Sequence, residues 1–150
     1  LPAHALQDPI WHRTLNTRKG RDGCRVPMPW TDAGHSYGFG DNHAWLPQPA
    51  GFSRTAVAAQ SGRPESTLEL YREALRIRRQ LQTAEALEWV PTEHPDVLHF
   101  VRPGGWHCIT NFGTAPVSLP DGVVRLSSVP VEPGVLAGES TVWFTEWPQA

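Results

Sequence analysis

Apolar and polar positions follow different rules in different parts of this chain. Residues 1–52 show no sustained period and are rich in proline, glycine, histidine and tryptophan. A structureless stretch of that length in a compact protein is either functional or held by neighbours. Its aromatic side chains give it something to bury, so it does not read as low-complexity disorder. Phe52 to Gln60 reads as a short helix ending near Gly62. Ser66-Thr67-Leu68-Glu69 then has the Ser-x-x-Glu form of a capping box, which predicts a helix from about Thr67 to about Leu81. Leu68, Tyr71 and Leu75 make one apolar stripe on that helix. Leu70, Ala74, Ile77 and Leu81 make another on nearly the opposite side, with Arg72, Arg76 and Arg79 in one gap. A surface helix carries one stripe. Two stripes suggest a helix between two layers; one wide apolar face plus a stray residue is the alternative.

From about Glu88 the pattern changes. Val97–Arg102, Trp106–Asn111, Val123–Leu126 and Thr141–Phe144 read as strands, and Ala86–Val90 and Val117–Leu119 are candidates to join them. Pro103-Gly104-Gly105 between the first two signals a hairpin. Asn111-Phe112-Gly113, Pro120-Asp121-Gly122 and Pro133-Gly134 mark further turns. Short strands at this spacing predict a small antiparallel sheet or sandwich.

Composition narrows the field. Thirteen basic residues against fifteen acidic ones leave a net charge of −2, which argues against a nucleic-acid surface. No apolar run approaches the roughly 18 residues of a membrane-spanning helix, so no membrane partner is expected. Cys24 and Cys108 lie far apart in sequence, and a disulfide framework would need more cysteines. Two free thiols in a reducing, cytoplasmic compartment is the reading. The chain starts at Leu1, and Met28 is its one methionine; the expectation is a fragment of something longer.

The most informative run is Gly20-Arg21-Asp22-Gly23-Cys24-Arg25-Val26-Pro27-Met28-Pro29-Trp30. Pro27 and Pro29 remove backbone donors and push the preceding residues toward extended conformations. Gly20 and Gly23 allow backbone angles that other residues avoid. The result should be a rigid loop that fixes charged and aromatic side chains, and such loops usually bind something. Asp22 is expected to cap the tight turn through nearby amides.

This run resembles a signature of bacterial α-glucosidases in glycoside hydrolase family 13. Ala5-Leu6-Gln7-Asp8-Pro9, Trp45-Leu46-Pro47, the helix from Ser66 to Arg72, the Asn111-Phe112-Gly113 turn and the closing Thr141-Val142-Trp143 strand follow the family in order. The resemblance implies an α+β fragment: the last loop and helix of a (β/α)8 barrel, residues 1–83, then a small antiparallel β-sandwich C-terminal domain, residues 84–150. It implies an α-glucoside or oligosaccharide substrate of the maltose or isomaltose type, a missing N-terminal barrel and no cofactor. Retaining glycosidases need two carboxyl groups flanking the scissile bond. In the family both lie upstream of this signature, so no catalytic residue is expected here, and the chain alone should be inactive.

By the same resemblance Arg21 is the candidate sugar-positioning residue. A guanidinium offers five donors in a fixed fork and can hold a carboxylate and a sugar hydroxyl together. Arg25 is second, with a structural role the stronger reading for it. Trp30, Phe39 and Trp45 have faces that stack on sugar rings, although packing suits at least two of them; Phe39 ranks first for the pocket. His4, His12, His35 and His43 lie in the loop region without zinc-site spacing, so no metal is expected. His99 and His107 are expected to face each other across the hairpin as surface residues. Two other functions compete: a carbohydrate-binding module using exposed Trp106, Trp143 or Trp147, and a purely structural β module.

Overall fold

The structure, a computed structural model, describes residues 1–147. Residues 148–150, the end of the expected β domain, lie outside the described residues. The chain divides into two compact units, one spanning Leu1–Glu69 and the other starting at Leu70.

The first unit is built from short helices and turns. Its helices are α1 (Pro9–Arg13), α2 (Phe52–Thr55) and α3 (Val57–Gln60), with single 3₁₀ turns at Ala3–Ala5, Asp22–Cys24 and His35–Gly38. Asp8 caps α1 by accepting the Ile10 amide, with Pro9 as the first helical residue, where its missing N–H costs nothing. The expected Phe52–Gln60 helix is broken in two at Ala56, which is extended (φ −59°, ψ 151°). The reason is competition for donors. The amides of Val57 and Ala58 donate to the carbonyls of Pro29 (3.2 Å) and Trp30 (2.9 Å) instead of back along a helix. Ala5, Leu6, Leu46 and Ala56 are buried in this unit.

Helix α4 (Thr67–Leu81) has the predicted bounds. Half of the capping box forms: the Glu69 amide donates to Ser66 Oγ at 3.2 Å. The Glu69 carboxylate turns elsewhere and accepts the Gly62 amide at 2.9 Å.

The second unit is strand-rich. Its strands are β1 (Glu88–Trp89), β2 (Val97–Arg102), β3 (Trp106–Asn111), β4 (Val117–Ser118), β5 (Val123–Ser127), β6 (Val135–Leu136) and β7 (Ser140–Thr145). Five of them form one sheet in the order β1-β2-β3-β7-β5, and β4 pairs with β6. All the pairings are antiparallel. Gly104 and Gly105 turn the β2–β3 hairpin at φ +93° and +70°, conformations that glycine alone adopts readily.

Alternation along the central strands gives the sheet two faces. On one, Ile109, Val142 and Phe144 pack with Leu119 and Leu136 from the β4–β6 side, and Val97, Val117 and Val131 rim this core. Asn111 is buried at the end of β3 and ties the neighbouring turns together. Its amide donates to the carbonyls of Ala115 and Ala137, and its oxygen accepts the Gly113 amide. The opposite face carries an aromatic row: Trp89 against Phe100, Phe100 against Trp106, and Trp106 against Trp143.

Helix α4 covers part of that aromatic face. Leu70, Tyr71 and Ala74 line a pocket of about 270 Å³ with Leu126, Thr141 and Trp143. Beyond the helix, Thr83 donates to the Pro103 carbonyl and Arg102 to that of Ala84. Ile77 is buried, whereas Tyr71 and Leu75 are exposed. Of the two predicted stripes, Leu70, Ala74, Ile77 and Leu81 are half-buried or buried, while the other is half-buried at Leu68 and exposed at Tyr71 and Leu75.

Two sequence expectations are corrected here. Trp106 is buried, at 3% exposure, because its position in β3 alternates onto the aromatic row. It cannot serve as an exposed sugar platform. His99 is also buried rather than on the surface. Its Nε2 lies 3.0 Å from His107 Nδ1, and the His107 ring stacks on Phe144 at 4.8 Å. Burial first, and the neighbouring His107 second, hold the His99 imidazole below its ordinary value. No helix among the described residues is long and apolar enough to cross a membrane.

Candidate substrate-binding loop

The Gly20–Trp30 run is pinned at both ends. At its far end the prolines supply acceptors only, and the missing donors come from outside the run. Gln48 donates to the carbonyls of Pro27 and Ser36, both at 3.0 Å. The Pro29 and Trp30 carbonyls accept the amides of Val57 and Ala58. The Trp30 amide in turn donates to Tyr37 O at 2.7 Å. Pro27 and Pro29 are buried by this arrangement.

At the near end two aspartates do the holding. Asp22 is 1% exposed. Its Oδ2 accepts the amides of Gln7 (2.8 Å) and Asp8 (2.9 Å). The expectation of a local turn cap is thus corrected: the carboxylate reaches 14 and 15 residues back along the chain. Asp8 reciprocates. Its Oδ1 accepts the Ile10 amide at 3.0 Å, and its Oδ2 accepts the Arg21 amide at 3.0 Å and Arg25 Nη1 at 2.9 Å. The Ile10 amide first, the Arg21 amide next and then the Arg25 charge hold the Asp8 carboxyl below its ordinary value of 3.8, against the opposing effect of burial. Gly20 is required here. Its φ is +68°, and a Cβ would lie 2.5 Å from Asp8 Cγ.

The candidate residues fall into two kinds. Arg25 is bound to Asp8 in an ion pair. Arg21 is exposed. Its backbone amide is bound to Asp8, while its guanidinium makes no hydrogen bond or ion pair among the described residues. Phe39 is 58% exposed at the end of the His35–Gly38 turn. That turn contains two left-handed non-glycine residues, Ser36 (φ +49°) and Tyr37 (φ +48°), a conformation that costs free energy and persists only where surroundings enforce it. The Ser36 hydroxyl donates to the Asn42 carbonyl, which together with Gln48 enforces it. Trp30 and Trp45 are also about half exposed. Arg21 and Phe39 sit on different turns, and no hydrogen bond or cation–π contact joins them among the described residues.

Cys24 is exposed, and its thiol donates to the Arg21 carbonyl. His35 and His43 meet edge to face at 4.7 Å. No group of three or more potential metal ligands occurs among the described residues. The residue that sequence reasoning passed over is Asp8. An aspartate before a proline is a recognisable helix start, but its hold on the loop 13 to 17 residues away had no local signal.

The sequence model of the alpha-amylase catalytic domain matches residues 4–86, more than half of the chain. The chain belongs to the alpha-amylase family. A probable alpha-glucosidase of Rhizobium meliloti (strain 1021) is 42% identical over 74 residues, covering 49% of this chain and 13% of the relative. A probable oligo-1,6-glucosidase 2 of Bacillus subtilis (strain 168) is 36% identical over 62 residues, covering 41% and 11%. The crystal structure of the alpha-glucosyl transfer enzyme XgtA superposes with a TM-score of 0.71 at 32% identity, over 96% of this chain and 29% of that one. The isomaltulose synthase of Klebsiella sp. LX3 shares the fold, with a TM-score of 0.71 at 17% identity over 91% of this chain and 29% of that one. The resemblance to family 13 α-glucosidases is borne out, and the chain spans less than a third of the length of these relatives.

Proposed function

We propose that this chain is the C-terminal segment of an α-glucosidase acting on maltose- or isomaltose-type oligosaccharides. Residues 1–83 are the loop after the last barrel strand and the last barrel helix, and residues 84–150 are a stabilising β domain. The segment contributes a wall of the substrate pocket and no catalytic carboxylate. Its two best-placed carboxylates are already engaged: Asp22 holds two backbone amides and Asp8 two amides and a guanidinium. A group serving as acid/base or nucleophile must instead be free to face the glycosidic bond. The free thiols of Cys24 and Cys108 support a reducing, cytoplasmic setting.

The observation that carries this reading is the contrast between the two arginines. Arg25 has its carboxylate; Arg21 has a fixed backbone and a guanidinium that is unengaged among the described residues. In the full enzyme that fork pairs with a carboxylate of the missing barrel and donates to hydroxyls of the non-reducing glucose. Phe39 supplies an apolar face at the pocket edge.

Steady-state kinetics on the full-length enzyme test this. Hydrogen bonds from a charged group are worth about 1.5–3 kcal/mol, so Arg21→Ala should lower kcat/KM by roughly 10–100-fold at a little-changed melting temperature. Arg21→Lys should recover little, because an ammonium lacks the planar fork. Near-normal efficiency for Arg21→Ala, with a large loss for Arg25→Ala at unchanged melting temperature, contradicts the assignment. The 150-residue chain alone should show no turnover of an aryl α-glucoside. Turnover abolished by changing Asp22 or Asp32 contradicts the incomplete-site reading.

A further inference from the structure

We propose that Asp8 is a positioning residue for Arg21, fixing the root of its side chain while Arg25 keeps the Asp8 carboxylate occupied. This rests on the reading of Arg21 as the sugar-holding group. The backbone on both sides of Arg21 is tied to one short segment. Gly20 abuts Asp8 so closely that any side chain there would strike its carboxyl carbon, at 2.5 Å. The Arg21 amide donates to Asp8 Oδ2 at 3.0 Å. Asp22 then accepts the amides of Gln7 and Asp8. Residues 7–8 and 20–22 are therefore cross-linked in both directions, carboxylate to amide each way.

Asp8 is itself anchored. Its Oδ1 accepts the Ile10 amide as the cap of α1, and its side chain is 11% exposed. A carboxylate so close to Arg21 is a natural partner for the Arg21 guanidinium. Arg25 removes that competition by binding the same Oδ2 at 2.9 Å. The division of labour is then complete: Arg25 neutralises Asp8, Asp8 holds the Arg21 backbone, and the Arg21 fork stays free for a ligand. Holding a flexible side chain at its root lowers the ordering cost on binding. Small misplacements of a substrate-holding group are costly in rate.

A kinetic double-mutant cycle in the full-length enzyme, with 4-nitrophenyl α-glucoside as substrate, tests the proposal. Asp8→Asn should lower kcat/KM roughly 10-fold while Arg21 is present. In the Arg21→Ala background the same change should cost less than about 2-fold. The drop in melting temperature caused by Asp8→Asn should be equal in both backgrounds. An equal kinetic penalty in both backgrounds overturns the proposal and leaves Asp8 a general structural residue. Near-normal kcat/KM for Arg21→Ala by itself overturns the Arg21 reading instead, so the two failures are distinct. Where Asp8→Asn does not give folded enzyme, Asp8→Ser, which keeps a capping oxygen for α1, takes its place with the same expected and contrary results.

Discussion

Among the most deeply buried side chains of the strand-rich unit are Leu136, Val142 and Asn111; in the loop unit they are Leu46 and Asp22. The strand-rich unit has a contiguous apolar core, and Asn111 at the end of β3 ties turns together. The loop unit has a few buried apolar residues and buries the Asp22 carboxylate, whose Oδ2 accepts two amides distant in sequence. Apolar burial is non-directional and tolerates approximate packing. A carboxylate accepting amides is directional, and it holds backbone atoms at defined distances. The first device suits a stabilising module. The second suits a loop that must present a particular side chain in a particular place.

The two units should differ in what disturbs them. The largest effect belongs to the core. Phe144 is 3% exposed and packs against both Ile109's cluster and the His107 ring. Phe144→Ala should destabilise the strand-rich unit by about 3–5 kcal/mol, read from denaturant unfolding, with hydrogen exchange at Gln7 and Asp8 unaltered. A loss below about 1 kcal/mol would show that this core is loosely packed. Asp22→Ala comes next. It removes the acceptor of the part-buried Gln7 amide and of the buried Asp8 amide, at about 1–3 kcal/mol, and should speed hydrogen exchange at those two residues while strands β2, β3 and β7 keep their protection. Exchange rising equally in the strands would erase the distinction between the units.

Acid separates the two units most gently. The His99 imidazole is depressed in the folded state, by burial and then by His107. The unfolded chain therefore takes up a proton near the ordinary value of 6.5 while the folded chain does so only at lower pH. Stability from this group is present above pH 6.5 and is lost as pH falls through the window below it. Asp8 is depressed too, so its contribution is present above 3.8 and is lost only as pH falls below that value. Hydrogen exchange followed from pH 7 downward should loosen β2 and β3 before Gln7, Asp8 and Arg21. A His99→Gln variant should flatten the first step. Loosening of the loop before the strands would contradict the assignment of these two groups.

Local rules made much of the strand-rich unit legible. The capping serine and the apolar spacing defined Thr67–Leu81 to the residue, and Pro103-Gly104-Gly105 located the hairpin. Strand β6 escaped notice because two residues, Val135 and Leu136, carry no readable period. The burial of His99 and Trp106 followed from which face each strand turns inward, and polar or amphipathic residue types gave no hint of it. In the loop unit the Gly20–Trp30 run marked the right segment. The grip of Asp8 and Asp22 upon it was hidden, because their partners are set by how the chain folds back. The break at Ala56 was hidden for the same reason: helix amides were claimed by carbonyls of Pro29 and Trp30.

The proposed role of the clamped loop is to hold Arg21 against a sugar. A crystal structure of the full-length enzyme with a bound maltose-type oligosaccharide tests it most directly. Arg21 guanidinium nitrogens should then lie within about 3.2 Å of hydroxyls of the non-reducing glucose, with Arg25 still on Asp8. A sugar bound with Arg21 facing solvent, and with Arg25 released from Asp8 to contact it, would rule that role out.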